Sequence, residues 1–410
     1  MDDITQAIRE QYEQFPYPAG EPTQRVSSDV RMLLSVGEKS RPDAERPLHA
    51  LDAGCGRGVG LIGHAVLQPD VQFTGIDINR VGLEECRNQV QQRGLTNVRV
   101  AEVDLMTLEG LEVPEGGFDV IYSSGVLHHM SNPEQGLAKL KSVLAPHGVI
   151  ALMVYATHGR QPLYRLINAT KLLVPGESFD DKMPATRELA KFCSETVLES
   201  TPWDHVPDTN DVEFVDLCLN ANETSYSIES MWQLLASAGM RFLRWSIPDQ
   251  WSTDVLPEGT LRDLANNLSE YDQYRLIEQV TWQPSLQLLI GHEDNSPRRA
   301  FDVNAIDLDA YAVNPQIQFI SEHRNHPSGK KREALLYRRY ADEEPRICLE
   351  VNQLIALSIL SEQFDPFTAD AFLAVMQEDG VDNAGAVEAL RFCIEEGILY
   401  RPHLTDLVMV

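Results

Sequence analysis

The chain has few cysteines, and they lie far apart in its 410 residues. Six are present, without a C-x-x-C pair and without the Cys/His spacing of a zinc site. We therefore expect neither a disulfide framework nor a bound metal. Cys55 lies in a glycine-rich turn and is expected to be a small buried residue rather than a nucleophile.

Basic residues are also scarce: 34 Lys and Arg stand against 62 Asp and Glu, and the formal net charge is −28. A surface this acidic repels the phosphate backbone of nucleic acids. The most basic stretch, 323–340, is therefore interpreted as a solvated, charge-balancing segment rather than an RNA-binding one. Nucleic acid is not expected as a partner.

Long apolar runs are absent, although 43% of the residues are hydrophobic. A membrane-spanning helix needs about 18–20 apolar residues, and no run reaches that length. The N-terminal sequence MDDITQAIREQYEQ is charged and lacks the apolar core of a signal peptide. These features predict a soluble, cytoplasmic protein with no membrane partner, long enough for two or more domains.

A glycine-rich segment, LHALDAGCGRGVG, stands out in the first quarter of the chain. A short apolar run ends at Asp52, the glycines Gly54, Gly56 and Gly58 follow, and a helix-compatible run comes next. Glycine adopts positive φ and, without a Cβ, lets a ligand approach the backbone closely. The order of strand, glycine turn and helix predicts a nucleotide-like ligand at the N-terminus of the helix.

The glycine spacing separates two classes of ligand. The dinucleotide pattern G-x-G-x-x-G is incomplete from either start, because its sixth position is Val59 or Leu61. The pattern that is present, D-x-G-C-G-x-G, resembles motif I of the class I S-adenosylmethionine (SAM) methyltransferases. This resemblance implies that the turn packs against the methionine part of SAM.

Four further segments follow in the order of that family. A second strand in 73–79 ends at Asp77, where a carboxylate can accept hydrogen bonds from both ribose hydroxyls. A third strand in 98–106 ends at Asp104, which the resemblance places beside the adenine amino group. The fourth strand is predicted in 118–130, followed by a loop, and 144–155 is predicted to contain a helix end, a turn at Gly148 and the fifth strand.

The alternation of strands and helices predicts an α/β fold with a doubly wound, mostly parallel seven-stranded sheet. The sixth and seventh strands are predicted at 241–247 and 285–292, and the resemblance implies that the last strand is antiparallel. The predicted domains are an N-terminal aromatic and proline-rich arm with a helix at 1–47, a SAM-dependent methyltransferase domain at 48–295 with an inserted lid at 156–225, and a C-terminal association domain at 300–410. The last domain is expected to be small, mainly helical and winged-helix-like.

The candidate cofactor residues fall at the carboxyl ends of the predicted strands, where such sheets bind ligands. Any one of the acidic residues among them is also typical of an ordinary turn, but their joint placement disfavours that interpretation. The set comprises Asp52, Gly54, Gly56, Asp77, Ile78, Asp104, Leu105 and Ser123.

Two histidines, His128 and His129, follow the fourth strand, at the edge where the methyl group of SAM is expected. An imidazole is suited to act as a general base. In the resembled family such loop histidines also orient a helix and the cofactor, so both roles remain open. No D/N-P-P-Y run follows the fourth strand, which disfavours methylation of DNA bases and of glutamine side chains.

Two segments are candidates for contact with the methyl acceptor. The arm, REQYEQFPYPAGEP, either packs on the domain through its aromatic faces or covers the SAM pocket, with Tyr12 or Tyr17 lining it. Arg160, at the start of the lid, is either a solvated surface residue or part of an anion clamp on the substrate.

The sequence therefore predicts a SAM-dependent methyltransferase that transfers a methyl group by in-line displacement to a small-molecule or protein acceptor. The acidic surface favours a cationic or neutral acceptor. Two alternatives stay open: a SAM-binding regulatory protein without turnover, and a nucleotide-dependent oxidoreductase, which the incomplete glycine pattern disfavours. We expect the C-terminal domain to serve association, with a homodimer as its simplest form.

Overall fold

The computed structural model describes residues 2–20, 29–39, 41, 46–176, 178–297, 310–314, 317–325, 331–338, 346–347, 350–363, 365–396 and 398–401. The chain divides into two compact units, one of Met1–Thr23 with Leu48–Ser296 and the other of Gln24–Pro47 with Pro297–Val410. The predicted N-terminal segment 1–47 is thus shared between both units. The functional domain boundaries stay a prediction.

The larger unit contains seven strands, β1 (His49–Ala53), β2 (Gln72–Asp77), β3 (Val98–Glu102), β4 (Phe118–Ser124), β5 (Leu144–Tyr155), β6 (Met240–Trp245) and β7 (Ser285–His292). They form one sheet in the order β3-β2-β1-β4-β5-β7-β6. The pairs from β3 to β5 are parallel, whereas β7 is antiparallel to both of its neighbours. The predicted seven-stranded α/β sheet with an antiparallel last strand is confirmed.

Helices follow most of the strands. Up to residue 280 they are α1 (Asp3–Gln14), α2 (Val30–Leu34), α3 (Val59–Leu67), α4 (Arg80–Gln92), α5 (Pro133–Val143), α6 (Gln161–Leu173), α7 (Phe179–Ser194), α8 (Asp211–Cys218), α9 (Ile228–Ser237), α10 (Thr260–Asn266) and α11 (Glu270–Val280). The side-chain oxygen of Asn132 caps α5 by accepting from the Gln135 N–H, and Pro133 occupies the first helical position.

The residue pattern predicts a helix over 25–40, a single helix over 261–280 and a polar, acidic stretch after α6, and the structure differs from each of these predictions in extent. The helix expected over 25–40 is only α2 where the structure describes it, and residues 21–28 and 40 lie outside the described residues. The single helix expected over 261–280 is divided into α10 and α11, because the Ser269 hydroxyl caps a new helix by accepting from the Asp272 N–H. The polar stretch expected after α6 contains two further helices, α7 and α8.

The insertion at 156–225 has a hydrophobic core of its own. Leu163 and Leu166 of α6 pack with Trp203 and with Phe214 of α8 in a cluster separate from that of the sheet. Helix α7 contributes Ala190 and Cys193, so it forms despite Pro184 within it. Burial of its apolar face offsets the hydrogen bond that proline cannot donate.

From Pro297 onwards the smaller unit, which also contains α2, adds short strands and three helices. In the described residues these are β8 (Ala310–Val313), β9 (Gln318–Asn325), β10 (Lys331–Arg338), β11 (Arg346–Ile347), α12 (Val351–Ser361), β12 (Phe367–Thr368), α13 (Ala369–Glu378), α14 (Asn383–Glu395) and β13 (Leu399–Tyr400). The strands form two small antiparallel sheets, ordered β11-β10-β9 and β12-β8-β13. The basic stretch 323–340 falls on β9 and β10, and its residues 326–330 and 339–340 lie outside the described residues.

Among the described residues, no helix is both long enough and apolar enough to span a membrane.

Candidate active site

The turn between β1 and α3 requires glycine. Gly54, Gly56 and Gly58 have φ angles of 90°, 52° and 80°, which lie in the left-handed region. A Cβ on Gly54 would overlap the side chain of Val126, and one on Gly56 would lie 2.5 Å from the Tyr17 carbonyl oxygen. The turn therefore presents bare backbone at the N-terminus of α3.

Asp77, the last residue of β2, is held beside this turn by two backbone N–H groups. Its Oδ2 accepts from the Gly56 N–H at 2.7 Å, and its Oδ1 accepts from the Asn79 N–H at 2.8 Å. Each carboxylate oxygen keeps a second lone pair for another donor. Burial raises the pKa of Asp77, and the two backbone hydrogen bonds oppose that rise.

Asp52, near the end of β1, lies close enough to Asp77 for the two carboxyls to repel each other. Burial and this repulsion raise the pKa of Asp52 to about 7, although a hydrogen bond from the Leu61 backbone of α3 favours the ionised form. Asp52 is half-buried, so solvent weakens the repulsion in part. The two carboxyls make this edge of the sheet strongly acidic.

The raised pKa of Asp52 predicts a pH-dependent loss of stability. A carboxyl whose pKa rises from 3.8 to about 7 on folding costs stability as the pH increases through that interval, because ionisation is harder in the folded state. We expect the free energy of unfolding of Asp52→Asn, relative to that of wild type, to rise by on the order of 2 kcal/mol when the pH is raised from 5 to 8. Urea unfolding at both pH values measures this gain, and an equal difference at the two values would contradict it.

The other predicted cofactor residues lie at the same edge. Asp104 follows β3 and accepts from the Met106 N–H through Oδ1 at 2.8 Å, and Leu105 beside it is buried. Ile78 follows Asp77 and is half-buried. The hydroxyl of Ser123, on β4, is buried and has no hydrogen-bond partner among the described residues. A glycine turn with carboxylate acceptors and an unpaired hydroxyl around it fits the polar groups of SAM, and the role of each residue stays a prediction.

The N-terminal arm lies directly on the glycine turn. The Tyr12 carbonyl accepts from Asn79 Nδ2 at 3.0 Å, and the Pro18 carbonyl accepts from Arg57 Nη1 at 3.1 Å. Tyr17 packs its backbone against Gly56 while 38% of its surface stays exposed. The arm is therefore packed on the domain, at the position where cofactor binding is predicted.

A cluster of buried polar groups joins the arm to the insertion; we call Tyr12, Tyr155, Asp216 and Asn220 the Asp216 cluster. The Tyr12 hydroxyl donates to Asp216 Oδ1 at 2.8 Å, and the Tyr155 hydroxyl donates to Oδ2 at 3.0 Å. Asn220 Nδ2 donates to the Tyr12 hydroxyl at 3.3 Å. Burial and the Asp216 carboxylate raise the pKa of both phenols well above their usual range, so both remain neutral donors.

His128 is buried against this cluster in the 3-10 helix Leu127–His129. Its ring stacks on Tyr155 with 3.8 Å between centroids, and its Nδ1 accepts from the Tyr155 N–H at 3.3 Å. This hydrogen bond puts the ring proton on Nε2, which has no partner in the described residues. Burial, with the nearby His129, lowers the pKa of His128 well below its usual range. His128 is thus a neutral donor in this structure.

His129 has the opposite tautomer. Its Nδ1 lies 2.8 Å from the carbonyl oxygen of Asn222, which can only accept, so Nδ1 carries the proton and Nε2 keeps a lone pair. The Asn222 side chain donates to the carbonyls of His129 and Met130 at 3.1 Å each. These reciprocal bonds fix the histidine loop to the end of the insertion. Of the two predicted histidines, His129 has the free acceptor nitrogen that a base requires.

Arg160 is a buried residue, so its interpretation as a solvated surface residue is wrong. Only 1% of its surface is exposed, and its guanidinium carbon lies 3.5 Å above the Tyr155 ring. Its Nη2 pairs with Glu223 at 3.3 Å, and Trp203 covers another side at 5.0 Å. The anion that Arg160 holds in this structure is Glu223, and its role as a clamp on substrate stays a prediction.

The polar residues at the end of the insertion, which include Asp216, Asn222 and Glu223, were not predicted from the sequence. Asp216 stands between Val215 and Leu217 in the apolar second half of α8, and a polar run, NANET, begins two residues after that helix. An acidic residue in an apolar helical stretch signals a buried partner. That partner, Tyr12, lies about half the chain away and has no local signal.

The family of the chain follows from comparison with known proteins. A family model described as a methyltransferase domain matches residues 45–205. An uncharacterized protein of Synechococcus sp. is 31% identical over 300 residues, which are 68% of this chain and 69% of that protein. The chain belongs to the class I SAM-dependent methyltransferases. It is a SAM-dependent methyltransferase, and its cofactor is SAM.

Solved structures share the fold of this methyltransferase. PKMT2 from Rickettsia typhi gives a TM-score of 0.67 at 17% identity, covering 95% of this chain and 78% of that one. The structure of PKMT2 in complex with AdoHcy gives 0.66 at the same identity and coverage.

A tRNA U34 carboxymethyltransferase of Desulfotalea psychrophila is 30% identical over 142 residues, 35% of this chain and 43% of that protein.

Proposed function

We propose that this methyltransferase transfers the methyl group to an acceptor atom beside His129, under the insertion 156–225, which serves as a lid. Bound SAM supplies an activated methyl group on a sulfonium centre. The protein must then align the acceptor, exclude water and take up any proton that the acceptor releases. The proposed acceptor is a small molecule or a protein side chain.

One observation carries the proposed role of His129: its Nδ1 faces the Asn222 carbonyl at 2.8 Å. This contact leaves Nε2 as the acceptor of a proton, whereas the lone pair of His128 Nδ1 is already used by the Tyr155 N–H. We assign His129 as the general base and His128 as a positioning residue that orients the Tyr155 ring. Asn222 keeps His129 in the required tautomer.

The direct test is methyl transfer from methyl-labelled SAM to separated small-molecule and protein fractions of a bacterial extract. Label in one fraction identifies the class of acceptor. Wild-type protein that binds SAM but labels neither fraction would contradict the proposal and favour a regulatory SAM-binding role. Heat-inactivated protein serves as the control for non-enzymatic transfer.

We also propose that Tyr12 and Tyr17 line the path to the acceptor and that the arm closes the SAM pocket. Three contacts support a cover: Tyr12 with Asn79, Pro18 with Arg57, and Tyr17 with Gly56. A cover of this kind slows the escape of the cofactor and keeps water from the reacting atoms.

Removing residues 1–20 is therefore expected to raise the dissociation rate of AdoHcy about tenfold or more, measured by stopped-flow displacement. Arg57→Ala is the milder variant, because it removes the bond to Pro18 and the ion pair with Glu85 but leaves α1 in place. Melting temperatures of both variants control for loss of folding. A dissociation rate unchanged in the truncated protein would show that the arm is no cover.

For the smaller unit we propose a winged-helix-like module that serves association, with a homodimer as its product. Three helices, α12 to α14, and the short strand β13 support this assignment. Its core packs Leu357, Phe372 and Leu390 from the three helices. The cytoplasmic location expected from the charged N-terminus stays a prediction.

A further inference from the structure

A cavity of about 260 Å³ lies within the insertion, between the end of α6, the beginning of α7 and the end of α8. Its apolar wall includes Ile167, Val174 and Leu219. None of the residues predicted from the sequence to bind cofactor or substrate lines it. Its apolar wall suits a ligand with an apolar body, at a place separate from the predicted cofactor edge.

The charge of this cavity differs from that of the chain. Two lysines, Lys171 and Lys182, are among the described residues that line it, and no acidic residue is among those described residues. The chain as a whole has 62 acidic and 34 basic residues. Neither ammonium group forms an ion pair with a carboxylate in the part of the chain that the structure describes. Two cations beside an apolar wall predict an anionic ligand.

A buried hydroxyl in the same wall lacks a partner. Thr170 is 3% exposed, lines the cavity, and its Oγ1 has no hydrogen-bond partner among the described residues. A helical threonine commonly donates to the carbonyl four residues earlier, as Thr186 does to Lys182 and Thr281 to Ile277, each at 2.7 Å. Thr170 makes no such bond, so its buried hydroxyl keeps an unused donor at the wall of the cavity.

The cavity adjoins the Asp216 cluster through Asn220. Asn220 lines the cavity and donates to the Tyr12 hydroxyl at 3.3 Å. The carbonyl of Tyr12 in turn accepts from Asn79, two residues after Asp77. The wall of the cavity is thus hydrogen-bonded to the arm through Asn220, and the arm is hydrogen-bonded to the predicted cofactor edge through Asn79.

We propose that this cavity binds the remote end of the methyl acceptor, and that this end is an apolar chain carrying a carboxylate or another organic anion. The apolar walls hold the chain, Lys171 and Lys182 attract the anion, and the Thr170 hydroxyl donates to it. The inference rests on the proposed function, because it assigns the ligand as the acceptor. The net charge of the chain favours a cationic or neutral acceptor, whereas the local charge of this cavity favours an anionic one.

Calorimetric titration of the full chain with decanoate tests the cavity. We expect one molecule to bind per chain, with decanol and decylamine at least tenfold weaker. The variant Lys171→Glu/Lys182→Glu should weaken decanoate at least tenfold. The control Arg165→Glu/Lys191→Glu makes the same change of charge on the same two helices, outside the cavity, and should change the affinity less than twofold. Equal affinity of decanoate and decanol, or equal loss in both variants, overturns the proposal.

Two further measurements separate this inference from the proposed function. AdoHcy is titrated with and without saturating decanoate, and both ligands should bind together. Displacement of AdoHcy by decanoate would place the acid in the cofactor pocket and overturn the inference, whereas absence of AdoHcy binding would overturn the proposed function instead. In a label-transfer assay, ω-hydroxy and ω-amino acids of eight to twelve carbons should accept methyl at least tenfold better than alcohols and amines without the carboxylate. Equal transfer to both sets, or transfer to neither, overturns the assignment of the acceptor.

Discussion

Replacing His129 with alanine is expected to lower kcat by about 10²- to 10⁴-fold, the usual contribution of a general base, while SAM affinity changes less than twofold. The reason is the fixed tautomer: Nδ1 is committed to the Asn222 carbonyl, and Nε2 holds the lone pair that takes the proton. The rate is measured in single turnovers with methyl-labelled SAM and the acceptor fraction found by label transfer.

Two variants control for structural effects of this change. His129→Gln keeps a donor for the Asn222 carbonyl but offers no group that takes up a proton, so it should lose as much rate as the alanine variant. Asn222→Ala keeps the backbone carbonyl that faces Nδ1 but removes the two side-chain hydrogen bonds to the His129 and Met130 carbonyls, so it loosens the histidine loop, and we expect an intermediate loss. Full activity of His129→Gln would show that the acceptor needs no base at this position.

Replacing Asp77 with alanine is expected to weaken SAM binding by more than tenfold, which corresponds to more than about 1.4 kcal/mol. The variant loses the acceptor for the ribose hydroxyls and also leaves the N–H groups of Gly56 and Asn79 without a partner. Both effects act on the glycine turn itself. Calorimetric titration with SAM measures the change.

The control for Asp77→Ala is Asp263→Ala, an equal change at an exposed position of α10. It should leave the affinity for SAM within twofold of wild type. Asp77→Asn keeps one acceptor oxygen and should fall between the two. An unchanged affinity in Asp77→Ala would count against the assignment of the cofactor edge.

The sheet and its cofactor edge are predictable because their signals are local. An apolar run followed by Asp52 and glycines specifies β1 and its turn within a dozen residues, and the ends of β2 and β4 follow in the same way. Parallel strands then bring their carboxyl ends together without further information. Helix boundaries were less predictable, because a single cap such as Ser269 divides one apolar pattern into two helices.

The acceptor side was not predictable, because its contacts join distant parts of the chain. Tyr12 meets Asp216 across 204 positions, and Arg160 meets Glu223 across 63. No periodicity or spacing in the sequence records such pairs. The tautomers of His128 and His129 likewise depend on the Tyr155 N–H and the Asn222 carbonyl, which only the folded chain brings near them.

The most direct test of the central claim is calorimetric titration of the purified protein with SAM and, separately, with NADH. A cofactor edge built on a bare glycine turn and Asp77 predicts one SAM bound per chain with a micromolar Kd, and no binding of NADH. Absence of SAM binding both in the full chain and in the protein lacking residues 1–20 would contradict the account. An arm that closes the pocket could not explain the missing affinity in the truncated protein.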